Sequence, residues 1–123
     1  MKNLQDYMNE KQSELFTQTG TFFAFSTAQF LNARTKGVKY VDLGVGMYCP
    51  KENAKTLLDG LDKIYKDSIK EDIEENGREK IILRELYAHE CFYTYDTERV
   101  VKELAAYGIT EEEILKAFYK ERL

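Results

Sequence analysis

Residues 38–50, VKYVDLGVGMYCP, decide which fold the rest of the chain can build. Tyr40, Val41, Leu43, Val45, Met47 and Tyr48 favour a strand, and Gly44 and Gly46 interrupt it. As the loop at the end of a parallel strand, the segment would open a doubly wound cofactor-binding sheet. As one β-rich segment with glycines at a bulge, it belongs to a small antiparallel sheet. The flanks choose between these. No strand–helix repeats follow, and 123 residues are too few for a doubly wound sheet.

Toward the N-terminus, Gly37 closes a short helix running to about Arg34, opened by Ser26 with Gln29 at capping-box spacing. Before it, Thr21 to Phe25 is an aromatic run of strand type, with Phe23 and Phe25 on one face and Phe22 on the other. Residues 3–17 place Leu4, Tyr7, Met8 and Leu15 on one helical stripe that Gly20 ends. Toward the C-terminus, Pro50 suits a first helical turn, and Ala54, Leu57, Leu58, Leu61, Ile64, Tyr65, Ile69 and Ile73 recur at threes and fours. Asn76-Gly77 stops that helix. Residues 78–91 form another, with Ile81, Ile82, Leu86 and His89 facing inward. Cys91 to Tyr95 reads as a third short strand, and a helix from Asp96 or Thr97 to Tyr107 follows it. Thr110 with Glu113 is a second capping box, opening a last helix with Ile114, Leu115, Ala117 and Phe118 inward. The expected fold is α+β: a mostly helical single domain over residues 1–123, with a small antiparallel sheet from about 21–25, 39–48 and 91–95.

Composition excludes several functions. Net charge is −4, so neither phosphate contacts nor a polybasic membrane anchor are on offer. No apolar stretch is long enough for a membrane helix, and the polar N-terminus is unlike a signal peptide. Cys49 and Cys91 are too few and too far apart for a disulfide framework, which favours a reducing compartment. Asp67, Glu71, Asp72, Glu74 and Glu75 are interleaved with Lys66, Lys70, Arg78 and Lys80, as on a solvated helix face rather than a mimic of DNA.

The chemical motifs are sparse. Val41 to Gly46 is similar to the cofactor loop of S-adenosylmethionine-dependent methyltransferases, but Tyr48 stands at their third glycine position and would crowd it. The dinucleotide fingerprint fails as well, because Cys49 occupies its last glycine position. Glu85 and His89, four apart, share a helical face and could present two metal ligands, with Cys49 or Cys91 completing the shell. No C-x-x-C or H-x-x-x-H accompanies them, and a lone His on an apolar face is more often hydrogen-bonded to backbone, so no metal and no cofactor are expected. Cys49 lies before a helix start, the better place for a thiolate, whereas Cys91 lies toward a helix C-terminus. A hydrolase or transferase using Cys49 or Glu85 with His89 is the enzymatic alternative. Seven Phe and nine Tyr are first of all packing for both faces of a thin sheet, and less often a binding surface or an oligomer interface.

Two segments, Gly20 to Phe30 (GTFFAFSTAQF) and Arg84 to Thr94 (RELYAHECFYT), resemble a family of small, uncharacterised proteins encoded by phages, prophages and related mobile elements of Gram-positive bacteria. The resemblance extends over most of the chain, Val38 to Pro50 included, and carries no established activity or catalytic residue. It implies an accessory protein in the cytoplasm of the bacterial host. Such a protein would act by binding, inhibiting a host defence component or capturing its nucleotide signal. The expected partner is a host protein or a small nucleotide-like ligand, with no direct nucleic-acid or membrane contact. If both segments are strand ends of one sheet, Phe25, Ser26, Gln29, His89, Glu90, Tyr93 and Thr94 line one polar-aromatic patch. The free amides at the helix start near Ser26 would favour an anionic group there. A homodimer through the aromatic face, or a structural homo-oligomer without ligand, is the remaining reading.

Overall fold

The computed structural model describes residues 1–123 and is α+β, with seven α-helices and one three-stranded antiparallel sheet. The elements run α1 (Leu4–Thr19), β1 (Phe22–Phe23), α2 (Thr27–Ala33), β2 (Tyr40–Asp42), β3 (Met47–Pro50), α3 (Ala54–Asn76), α4 (Arg78–Ala88), α5 (Cys91–Thr94), α6 (Glu98–Leu104) and α7 (Glu111–Arg122). None of the helices is long and apolar enough to cross a membrane. The chain divides into two compact units, one of residues 8–66 and the other of residues 1–7 with 67–123.

In the unit of residues 8–66, β3 is central, pairing Phe22 with Tyr48 on one side and Val41 with Cys49 on the other. Residues 39–48, read from sequence as a single β-rich segment, are two strands with a reversal between them. Gly44, Val45 and Gly46 all have positive φ, and the Asp42 carboxylate accepts the Gly44 amide at 2.8 Å, so the chain turns back on itself. The glycines serve this turn and not a cofactor loop. Gly46 also sits under another residue: a Cβ there would lie 2.5 Å from the Phe25 ring and 2.9 Å from the Ala24 carbonyl oxygen. Gly46→Ala is therefore expected to cost about 1–3 kcal/mol, read as a lower urea midpoint with an unchanged slope.

The helix α2 covers one face of this sheet because Phe30 enters an aromatic cluster with Phe22, Tyr40 and Tyr48, its ring centroid 4.8 Å from that of Tyr48. Phe23, on the opposite face, meets Phe16 of α1 edge-on at 5.4 Å. Gly60 of α3 faces Leu15 of α1 so closely that a Cβ would fall 2.8 Å from it.

The unit of residues 1–7 and 67–123 is built on Ile69, Ile81, Ile82, Leu86, Cys91, Val100, Leu104, Tyr107, Ile109, Ile114 and Phe118. The capping box of Thr110 and Glu113 forms as its spacing predicts. The Arg78 guanidinium donates to Glu113 at 2.6 Å and, with the Thr110 amide, holds that carboxyl down at about 2.

The segment 91–95 is not a strand. Cys91–Thr94 forms a single helical turn, α5, set between Glu90 and Tyr95, both with left-handed φ (55° and 61°). A strand would turn Cys91, Tyr93 and Tyr95 to one face. Instead Cys91 is buried and Phe92 stacks on Phe118 at 5.1 Å, while Tyr93 and Tyr95 are 87% and 65% exposed. Packing of two successive residues onto the helices overrides the β preference of the local sequence.

Asp72 is a second correction. It belongs in sequence to an acidic helix face, yet its side chain is completely buried. One carboxylate oxygen accepts from Asn76 at 2.8 Å and from Arg84 at 2.9 Å; the other accepts from Arg84 at 2.9 Å and from Tyr107 at 2.6 Å. Burial opposes its ionisation, but these donors outweigh it and hold the carboxyl below the usual range.

Candidate functional site

The residues expected at a site fall into three groups. Phe25, Ser26 and Gln29 are in the unit of residues 8–66, and His89, Glu90, Tyr93 and Thr94 are in the other. The expectation of one patch needed both segments to be strand ends of a common sheet, and the second is helical.

Ser26 and Gln29 serve the start of α2. The Ser26 hydroxyl accepts the Gln29 amide at 3.1 Å, and the Gln29 side-chain oxygen accepts the Phe25 amide at 2.7 Å. The Gln29 amide of the helix start is thus capped, Gln29 reaches back to Phe25 rather than to Ser26, and the helix they open has only seven residues. Phe25 is 75% exposed and, with Ser26, Phe30, Gly46 and Tyr48, lines a shallow cleft of about 440 Å³. No lysine or arginine lines it.

His89 ends α4, and its ring is not bonded to backbone as a core histidine would be. Nε2 lies 2.9 Å from the Glu103 carboxylate of α6, and the side chain is 21% exposed. Glu85, one turn earlier on α4, joins them: one ligand atom from each of Glu85, His89 and Glu103 lies within 4.8 Å of the others. The shared face of Glu85 and His89 was legible in sequence. Glu103 was not, because it stands 14 positions further on and arrives only through the packing of α6 on α4.

The third group is aromatic. Tyr87, Glu90, Phe92 and Tyr93 line a cleft of about 330 Å³ beside α5. Tyr87, Tyr93, Tyr95 and Tyr119 are each more than half exposed; Tyr87, Tyr95 and Tyr119 meet a base formed by Phe92 and Phe118, and Tyr93 projects beside them. The Arg122 guanidinium sits 4.8 Å from the Tyr95 ring centroid and 6.0 Å from that of Tyr119. The Tyr87 hydroxyl donates to Glu121 at 3.0 Å, and this carboxylate raises the phenol's pKa. The Thr94 hydroxyl accepts the Asp96 amide at 3.2 Å and so helps form the turn after α5 rather than facing a ligand. Tyr87, Tyr95, Tyr119 and Arg122 were missed from sequence, where a tyrosine that packs cannot be told from one that projects.

Both thiols are buried. The Cys49 Sγ donates to the Pro50 carbonyl at 3.4 Å within β3. Cys91 opens α5 instead of lying at a helix C-terminus; burial, then the Asp96 charge, push its thiol up. Neither is placed as an activated nucleophile is.

No curated protein and no solved structure is detectably similar to this chain. Residues 4–121 match a family of unknown function, DUF7659, and the chain belongs to that family.

Proposed function

We propose that this protein acts by binding, and that it holds a protein partner against the tyrosine surface around α5. The observation that supports this most directly is Tyr93, 87% exposed on a helical turn held between two left-handed non-glycine residues. Tyrosines offer large contact area at little entropic cost and dominate binding hot spots. Here Tyr87, Tyr95 and Tyr119 are gathered over a packed base, with Arg122 among them, and Tyr93 lines the cleft beside Tyr87 and Phe92. A nucleotide signal is the weaker reading, since the cleft beside Phe25 offers no cation to its phosphates. The resemblance to phage and mobile-element proteins gives the proposal its setting: an accessory protein of a Gram-positive host's mobile elements that disables a defence component in the cytoplasm.

The test is affinity capture from such a host, with the intact protein as bait, compared with Tyr93→Ala and with Phe25→Ala in the other unit. Tyr93→Ala is expected to leave stability within about 0.5 kcal/mol, because the side chain packs on little. It is expected to weaken retention of the partner by about 30-fold or more. Phe25→Ala is expected to retain it. Equal retention by both variants overturns the assignment to this surface. Concentration-dependent dimerisation that Tyr93→Ala abolishes would instead make the partner a second copy of this chain.

A further inference from the structure

We propose that Glu85, His89 and Glu103 bind a first-row divalent cation, with Zn²⁺ the best match. This stands on observations separate from the tyrosine surface. The donor set is one imidazole nitrogen and two carboxylate oxygens, which suits zinc and its neighbours and is poor for calcium, an all-oxygen ion. The three ligand atoms lie within 4.8 Å of one another. Ligands about 2.1 Å from a tetrahedral metal stand roughly 3.4 Å apart, so the farthest pair must close by up to about 1.4 Å while His89 Nε2 and Glu103 Oε2, now 2.9 Å apart, open slightly. Glu85 and His89 come from successive turns of α4, and Glu103 comes from α6, two helices joined through Leu86, Val100 and Leu104 of the core.

The surrounding groups also fit. Each carboxylate is steadied by an arginine: Arg84 lies 3.5 Å from Glu85 Oε1, and Arg99 donates to Glu103 Oε1 at 3.1 Å. Glu103 thus keeps Oε2 for the ligand position, now 2.9 Å from His89 Nε2. Such outer partners orient metal-binding carboxylates. The side chains are partly exposed, 15% for Glu85, 21% for His89 and 41% for Glu103, so an ion can enter and water can complete its shell. Three protein ligands with open positions are the pattern of an accessible site rather than a closed structural one. On binding, the metal takes the place of any proton on Nε2, and that proton passes to solvent.

His89 is the chain's one histidine, so its ring nitrogens report the event without ambiguity. The experiment titrates the intact protein with ZnCl2 in a non-chelating buffer, following imidazole ¹⁵N resonances and the heat of binding. A single equivalent is expected, with a shift of the Nε2 resonance. Glu103→Gln and His89→Gln should each weaken binding by at least about 10-fold, while Glu98→Gln on the same helix should not. Circular dichroism of each variant separates loss of a ligand from loss of the fold. An unmoved Nε2 resonance in the unmodified protein at millimolar zinc overturns the proposal, as does zinc affinity in folded Glu103→Gln and His89→Gln undiminished from that of the unmodified protein. The triad is then a hydrogen-bonded tie between α4 and α6.

Discussion

Arg84→Met is expected to lower stability at neutral pH by about 3–5 kcal/mol, because it leaves the Asp72 carboxylate buried without its cation. Arg84 spans both Asp72 oxygens at 2.9 Å, and its side chain is only 9% exposed, so water cannot replace it cheaply. Asn76 and Tyr107 still donate, but neither carries charge. The pH dependence should change sign with the substitution. In the unmodified protein the Asp72 pKa is lowered in the folded state. Its contribution is therefore present above the unfolded carboxyl value and is lost as pH falls through the lower folded one. Without Arg84, burial becomes the dominant influence and raises the folded value above the unfolded one. The variant's deficit should then be largest at neutral pH and should shrink on acidification, as the carboxyl protonates. Urea unfolding at several pH values measures this directly. A deficit that stays constant from neutral to acid pH would exclude the buried-charge explanation. A double variant, Asp72→Asn with Arg84→Met, should lose less than the sum of the two single variants, since the orphaned charge is gone.

Phe118→Ala should cost about 3–5 kcal/mol and disturb the tyrosine surface from beneath. Phe118 is 3% exposed and stacks on Phe92 at an interplanar angle of 13°. It also meets Tyr95 and Tyr119 edge-on and lies under the Arg122 guanidinium. Truncation removes the ring on which α5 rests, and Glu90 and Tyr95 then have less to hold them in their left-handed conformation. Thermal unfolding gives the stability loss. Ring-current shifts of Phe92 and Tyr95 in the NMR spectrum report the surface. Ile114→Val, one turn before Phe118 on the same helix and removing only a methyl group, should cost about 0.5–1.5 kcal/mol and leave those shifts in place. If both substitutions moved the Tyr95 signals equally, Phe118 would have no particular role beneath the surface.

Much of the helical scaffold was readable in the linear sequence, because capping and periodicity are local. Ser26 with Gln29 and Thr110 with Glu113 form the caps that their three-residue spacing implies. Gly77 ends the long helix with left-handed φ, and Ile81, Ile82 and Leu86 are buried as the period of α4 requires. Each of these depends on neighbours within about one turn. The α+β class followed from the same local signals, together with a chain too short for a doubly wound sheet.

Elsewhere the outcome turned on residues distant in sequence. Cys91 to Tyr95 carries β-favouring side chains, but Phe118 stacking on Phe92 makes it helical. Asp72 looks solvated among its acidic neighbours until Arg84 and Tyr107, 12 and 35 positions away, close around it. Glu103 reaches His89 only when α6 packs on α4, so the triad was two-thirds visible before the fold was known. Which tyrosines pack and which project was likewise settled only by packing. By itself the sequence determined the longer helices and their capping residues, because backbone dihedrals and capping hydrogen bonds answer to near neighbours. The tertiary structure alone decided the buried ion pair, the third ligand and the exposed aromatic surface. Those depend on desolvation and contact between elements whose separation along the chain carries no trace of their proximity.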